Sequence, residues 1–235
     1  MNTPNPVLTG KLESILFDLD GTLVDSENIA SWVLDHCFRD QWGIQLRQDD
    51  RLAIVGRTWA DAWRILSENY TLPVSWPEAQ RVLTEKYRQE IQVSLPEIPG
   101  SAQAIRSLAQ HHRLVVVSGS FRQEIEFALT RLGVRDCFEG IVGNEDYSRG
   151  KPHPEPYLLA LERFGMKRET SLIFEDSWAG VSAAKAAQIP VIAITSGHRV
   201  TPQDVTHADE IIEDFRQVDH DWLRKWWWSR QPIAE

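Results

Sequence analysis

The sequence predicts an α/β protein: a doubly wound, mostly parallel sheet with an α-helical domain inserted into it. Three observations lead there. Short apolar runs alternate with helix-like segments along most of the chain. Those runs are largely apolar, as strands covered on both faces are. One long interval, from Ser26 to Leu95, has helical patterning and no strand-like run.

Taken in order, "SILFD" at 14–18 reads as the first strand. "RLVVVS" at 113–118, "GIVG" at 140–143, "SLIFE" at 171–175 and "PVIAI" at 190–194 follow it. Between them "SAQAIRSLAQH", "RQEIEFALTRLG", "PEPYLLALERFG" and "WAGVSAAKAAQ" carry helical spacing, with Gly133 and Gly165 placed as C-terminal caps. The interval after the first strand holds "NIASWVLDHCFRDQWG", "TWADAWRILSENY" and "PEAQRVLTEKYRQEIQ". It is too long for a crossover connection, which needs only a dozen or so residues. The expected division is therefore an α/β core of residues 1–25 and 96–235 and a helical domain of residues 26–95, with Pro96 and Pro99 marking the return. In the tail, Trp222, Trp226, Trp227 and Trp228 suggest a helix docked on its own core; an exposed aromatic patch for a partner is the alternative.

Composition narrows the function classes. The chain has 235 residues, 42% hydrophobic and 25% charged, which is ordinary for a globular protein. A net charge of −9 disfavours nucleic acid, so no nucleic-acid partner is expected. Two cysteines, Cys37 and Cys137, provide no disulfide framework. "MNTPNPVLTGKLES" has neither the basic start nor the apolar core of a signal peptide, and no run is long enough to cross a bilayer. A cytoplasmic location without a membrane partner is the expectation, with a monomer, or at most a weak homodimer, as the assembly.

The chemistry gathers at the strand ends, where open α/β sheets bind ligands. Asp18 and Asp20 end the first strand, Ser118 the second and Glu175 with Asp176 the fourth, while Lys151 lies in the loop after the third. Residues two apart on a strand share a side, so Asp18 and Asp20 should converge and repel unless a cation or proton lies between them. The acids suit a hard cation such as Mg²⁺, and Lys151 with Ser118 suits an anion beside it. Together they suit phosphoryl transfer.

"DLDGTLVD", "VVVSGS", "GKPHPEPY" and "FEDSWAG" resemble the four successive motifs of the haloacid dehalogenase superfamily, over nearly the whole chain. The likeness is greatest to its phosphatase and β-phosphoglucomutase-like branch, with a Rossmann-like core and a small helical cap. It implies Asp18 as a nucleophile forming an aspartyl-phosphate and Asp20 as general acid and base. It also implies Mg²⁺ held by Asp18, Asp176 and the Asp20 carbonyl, with Glu175 acting at the metal through a water or from behind its ligands. Ser118 and the Gly119 amide would hold phosphoryl oxygens, and Lys151 would offset their charge. From the helical domain, Arg57, in "VGRTW", and Glu27, in "DSE", are candidate substrate contacts. A solvated helix start explains either equally well. His153 reads as a loop-stiffening residue and Asp25 as a helix cap.

Other readings fit less well. A calcium loop opening at Asp18 would need Gly and Glu where Leu23 and Ile29 stand. A nucleotide loop at Lys151 would need Ser or Thr in place of Pro152, and a serine hydrolase would need Gly in place of Val116. The expected activity is that of a Mg²⁺-dependent phosphatase of a small phosphorylated metabolite, such as a sugar phosphate or phosphoglycolate. The main rival is a β-phosphoglucomutase-type sugar phosphomutase. Members of that group usually have His where "DSENIA" has Ala30. Hydrolytic dehalogenation is disfavoured by Asp20. A non-catalytic binding protein on the same fold is disfavoured because Asp18, Asp20, Lys151 and Asp176 are all present.

Overall fold

In a computed structural model of the chain, residues 10–54, 59–196 and 204–231 are described, the side chains of Glu27 and Leu52 excepted. The first strand, β1 (Ser14–Phe17), is buried at all four positions. It lies between β2 (Arg113–Val117) and β4 (Ser171–Glu175), parallel to both, with Phe17 opposite Val116 and Phe174. Outward lie β3 (Gly140–Val142) beyond β2, then β5 (Val191–Ile194) and β6 (Glu210–Ile212) beyond β4. The order is β3-β2-β1-β4-β5-β6, and every pairing is parallel. The sixth strand was not anticipated. Its "EII" has three residues, two of them half-buried, so no apolar run announces it.

This order makes β1 the point where the chain reverses direction across the sheet, and the C-terminal ends of β1, β2 and β4 face one crevice. Phe17 stacks on Phe174 with centroids 5.1 Å apart and meets Phe138 edge-on at 5.9 Å. On the opposite face, Leu16, Val115 and Ile173 pack with Tyr157 and Ala160 of α7 (Glu155–Phe164) and Val181 and Ala184 of α8 (Trp178–Ala186). Truncating one such buried aromatic costs about 3–5 kcal/mol, so the strand that carries Asp18 is held firmly. Two further helices, α5 (Ser101–Leu108) and α6 (Arg122–Arg131), precede and follow β2.

The chain forms two compact units, Met1–Asp25 with Glu97–Glu235, and Ser26–Pro96. Within the first, departure and return are tied together. Val24 bridges Glu97, and the Leu23 carbonyl accepts from Ile98 N at 3.0 Å and Ser101 Oγ at 2.9 Å. The second unit contains α1 (Glu27–His36), α2 (Gln48–Ile54), α3 (Trp59–Ser67) and α4 (Trp76–Val93). Its core gathers Val33, Phe38, Trp63, Leu66 and Leu83. The continuous helix expected over 28–43 instead passes into a π-helical turn at Cys37–Gln41. There Trp42 N donates to Cys37 O, and both Phe38 and Trp42 meet Trp63 edge-on, at 5.7 and 5.2 Å. The N-cap position of α1 falls at Ser26, so Asp25 is not the cap the sequence suggested. Arg57, with its neighbours Gly56 and Thr58, lies outside the described residues, as does the Glu27 side chain.

The Trp-rich tail forms α9 (His220–Trp228), capped by the Asp219 side chain on Trp222 N at 2.7 Å. Its inner face is Leu223, Trp226 and Trp227, while Trp222 is half-buried and Trp228 exposed. Trp227 Nε1 donates to Gly10 O at 3.0 Å, which docks the tail on its own unit. Cys37 and Cys137 are free thiols, and no described helix is long and apolar enough to cross a membrane.

Three histidines join this tail to the sheet. His112 Nδ1 lies 3.1 Å from Leu12 O, its Nε2 lies 3.2 Å from His220 Nδ1, and His111 stacks on His220 at 3.8 Å. Burial pushes His112 down to about 4 against the Leu12 hydrogen bond, and the two neighbouring imidazoles add to the depression. A histidine whose folded value is depressed contributes stability above its unfolded value near 6.5, and that contribution is lost as pH falls toward the folded value. Urea midpoints measured at pH 7.5 and 5 should therefore fall more in the wild type than in His112→Asn, which keeps a donor for Leu12. Equal falls would refute this account of the cluster.

Candidate active site

Just past β1 the ladder continues for one bond, from Asp18 N to Phe174 O at 3.0 Å. The chain then turns, with Gly21 at φ +86°. A side chain is strained at that angle, and a Cβ on Gly21 would overlap the Asp176 carboxylate. Because β1 ends at Phe17, both aspartates lie past the strand, and Asp20 bridges Val24 across the turn. They stay close enough for Asp20 to raise the Asp18 pKa, yet they take different partners.

Asp18 is 7% exposed and belongs with Lys151. The Lys151 Nζ donates to Asp18 Oδ1 at 2.6 Å, Glu175 Oε1 at 2.6 Å and Val117 O at 3.0 Å. It also lies 5.0 Å from the centre of the Tyr157 ring. Glu175 is fully buried and saturated. Its Oε1 accepts from Tyr157 Oη at 2.8 Å as well as from Lys151, and its Oε2 accepts from Asp176 N, Ser177 N and Ser177 Oγ at 2.9–3.1 Å. Gly180, in the first turn of α8, permits this, since a Cβ there would overlap the same carboxylate. Asp176 is 1% exposed and accepts from Thr22 Oγ1 at 3.2 Å.

The electrostatics follow from this crowding. Burial raises Asp18 to about 7; Lys151 opposes that rise, and Glu175 and Asp20 add to it. Burial acts in the same direction on Glu175, but Lys151 and the hydrogen bonds from Ser177 and Tyr157 hold it below the usual carboxylate range. Burial would lower Lys151, yet Asp18 and Glu175 hold it well above the ordinary lysine value. Asp18, Glu175 and Asp176 present carboxylate oxygens within 4.8 Å of one another. Among the described residues these three buried carboxylates gather in one place, and oxygen-only donors suit a hard divalent ion.

Asp20 faces the loop after β2. Ser120 Oγ donates to its Oδ2 at 2.6 Å and Ser118 Oγ to the same atom at 3.4 Å. Ser118 is buried and its carbonyl accepts from Tyr147 Oη at 3.2 Å, while Gly119 is exposed beside it. His153 Nδ1 accepts from Glu155 N at 3.1 Å, so it braces the start of α7.

The structure thus brings together Asp18, Asp20, Ser118, Lys151, Glu175 and Asp176, with Gly119 adjoining. Sequence reasoning missed Ser120, Tyr157 and Thr22. Each lies inside a quoted motif, but a hydroxyl's partner depends on packing between elements, which spacing does not reveal.

Residues 15–194 match the haloacid dehalogenase-like hydrolase family, and the chain belongs to it. A bifunctional riboflavin kinase/FMN phosphatase of Arabidopsis thaliana is 33% identical over 219 residues, covering 92% of this chain. The chain spans 56% of that protein's length. A validoxylamine A 7'-phosphate phosphatase of Streptomyces hygroscopicus subsp. limoneus is 28% identical, covering 86% of this chain and 94% of its own. In fold, a β-phosphoglucomutase from Clostridium difficile superimposes with a TM-score of 0.73 at 20% identity, over 93% of this chain and 98% of that one. Among the family's hydrolases, the phosphatases named in these relatives place the chain with the phosphatases.

Tyr157 offers a test of the site's architecture apart from activity. Hydrogen bonds to charged groups contribute about 1.5–3 kcal/mol. Tyr157→Phe should lower unfolding stability by about that much, measured by urea titration. A loss below about 0.5 kcal/mol would mean the phenol does not support Glu175.

Proposed function

We propose that the chain is a Mg²⁺-dependent phosphatase that hydrolyses a small phosphorylated metabolite through an aspartyl-phosphate on Asp18. The observation that carries this is the Asp18 carboxylate at the end of β1, held by Lys151 at 2.6 Å beside Asp176 and Glu175. Asp18 and Asp176, with the Asp20 carbonyl, would hold the metal, whose chemistry would be to neutralise charge on the phosphoryl group. Glu175, with both oxygens already accepting, would act from behind these ligands and anchor Lys151.

In the first step an Asp18 oxygen forms a bond to phosphorus while the ester oxygen leaves with a proton from Asp20. Ser118 Oγ and the Gly119 amide hold phosphoryl oxygens, and Lys151 offsets their charge. In the second step Asp20, now ionised, takes a proton from water. The water oxygen bonds to phosphorus, the Asp18–phosphorus bond breaks, and phosphate departs. Two easier displacements replace one hard one.

The substrate reading follows the sequence relatives, which are named for FMN and validoxylamine A 7'-phosphate. A sugar phosphate or phosphoglycolate-like compound suits the same site. The helical unit of residues 26–95 would select it as a cap, with Arg57 and Glu27 as contacts, and the enzyme would work as a cytoplasmic monomer. Ala30 in α1 disfavours the phosphomutase reading, which predicts an isomerised sugar phosphate instead of free phosphate.

Asp18→Asn should reduce phosphate release from an aryl phosphate to below a few per cent of wild type with the circular dichroism spectrum unchanged, and EDTA should abolish wild-type turnover until Mg²⁺ is restored. Greater residual activity in the variant would remove Asp18 as nucleophile. Asp20→Ala with an activated aryl phosphate should give a burst and accumulate acid-stable phosphoenzyme in rapid-quench experiments. Near-wild-type turnover without accumulation would contradict the role of Asp20.

A further inference from the structure

Ser120 stands out because two hydroxyls point at one oxygen. Ser120 Oγ donates to Asp20 Oδ2 at 2.6 Å, within the 2.5–2.7 Å span of a charge-assisted O–H···O⁻ bond. Ser118 Oγ reaches the same atom only at 3.4 Å. The backbone sets this difference. Ser120 N donates to Ser118 Oγ at 3.0 Å, and Ser120 O accepts from Asn144 N, at the start of the turn after β3, at 2.9 Å. With its amide and carbonyl both engaged, Ser120 presents its hydroxyl to Asp20 from a fixed position.

We propose that Ser120 is a positioning residue for proton transfer by Asp20, and that it frees Ser118 for the phosphoryl group. This rests on the reading of Asp20 as general acid and base. A general acid works only when its carboxyl is within hydrogen-bond reach of the leaving oxygen, and rotation of an aspartate side chain is enough to lose that reach. The short Ser120 bond restrains that rotation. It also keeps a donor on Asp20 Oδ2 when Ser118 Oγ turns to a phosphoryl oxygen. The two serines therefore divide the work: Ser118 touches substrate, and Ser120 acts through Asp20.

The test is the rate of phosphoenzyme formation in rapid-quench experiments across phosphate monoesters from p-nitrophenyl phosphate to simple alkyl phosphates. A good leaving group needs little protonation, whereas an alkoxide needs it fully. Ser120→Ala should leave formation from p-nitrophenyl phosphate within about threefold of wild type and slow formation from alkyl phosphates by about 10- to 100-fold, in the range ascribed to general acid catalysis. Ser120→Thr, which keeps the hydroxyl, should restore the wild-type dependence. A uniform loss across the series, or no loss, would overturn the proposal, because a merely structural serine would not change the dependence on leaving group. Should Ser120→Ala fail to fold, Ser120→Cys, similar in size and a weaker donor, should give a partial steepening, and an unchanged dependence would again overturn it. If wild-type protein forms no phosphoenzyme from any ester, the underlying reading fails, and that result is distinct from a flat response of the variant.

Discussion

The Lys151 ammonium, 2.6 Å from both Asp18 and Glu175, is the contact around which the rest is arranged. Its side chain is 11% exposed, that of Asp18 is 10% exposed, and Glu175 is fully buried. Removing one member of such a buried ionic group leaves an uncompensated charge, at a cost of about 3–5 kcal/mol. The surrounding structure supplies what that ammonium alone does not. Five donors, Lys151 included, satisfy Glu175, so this acid is a fixed anchor for the ammonium.

The sheet order makes this gathering possible. Because β1 lies between β2 and β4, residues far apart in the chain end at the same crevice. Asp18 and Asp176 follow adjacent parallel strands, with Phe17 and Phe174 in register and stacked on each other. On the other face of the sheet, Tyr157, buried in the core, hydrogen-bonds Glu175 at 2.8 Å and lies 5.0 Å from the Lys151 ammonium. Core packing and site electrostatics are thus one arrangement seen at two levels.

Much of this was legible from residue order. Asp18, Asp20, Ser118, Lys151, Glu175 and Asp176 could be assembled from strand ends, since parallel strands in an open sheet place those ends together. Legibility failed where partners are chosen by packing. Nothing in the spacing of "VVVSGS" says that Ser120, rather than Ser118, makes the short bond to Asp20. Tyr157 reads as an ordinary apolar helix position until its hydroxyl is found on Glu175. The strand "EII" was missed because an edge strand of three residues needs only its neighbour's backbone, and the break at Cys37 because it answers to Trp63 on another helix.

By itself, then, the sequence determined the α/β class, the inserted helical interval and the set of acids, hydroxyl and amine at the sheet edge. These depend on local periodicity and on the direction of strands, both of which are written in consecutive residues. Only the tertiary structure decided how the charges pair: Lys151 between Asp18 and Glu175, Asp20 with Ser120, and Asp176 against Gly21. A Coulombic or hydrogen-bonding partner is selected by distances of a few ångströms, and those distances are set by how helices and strands remote in sequence pack together.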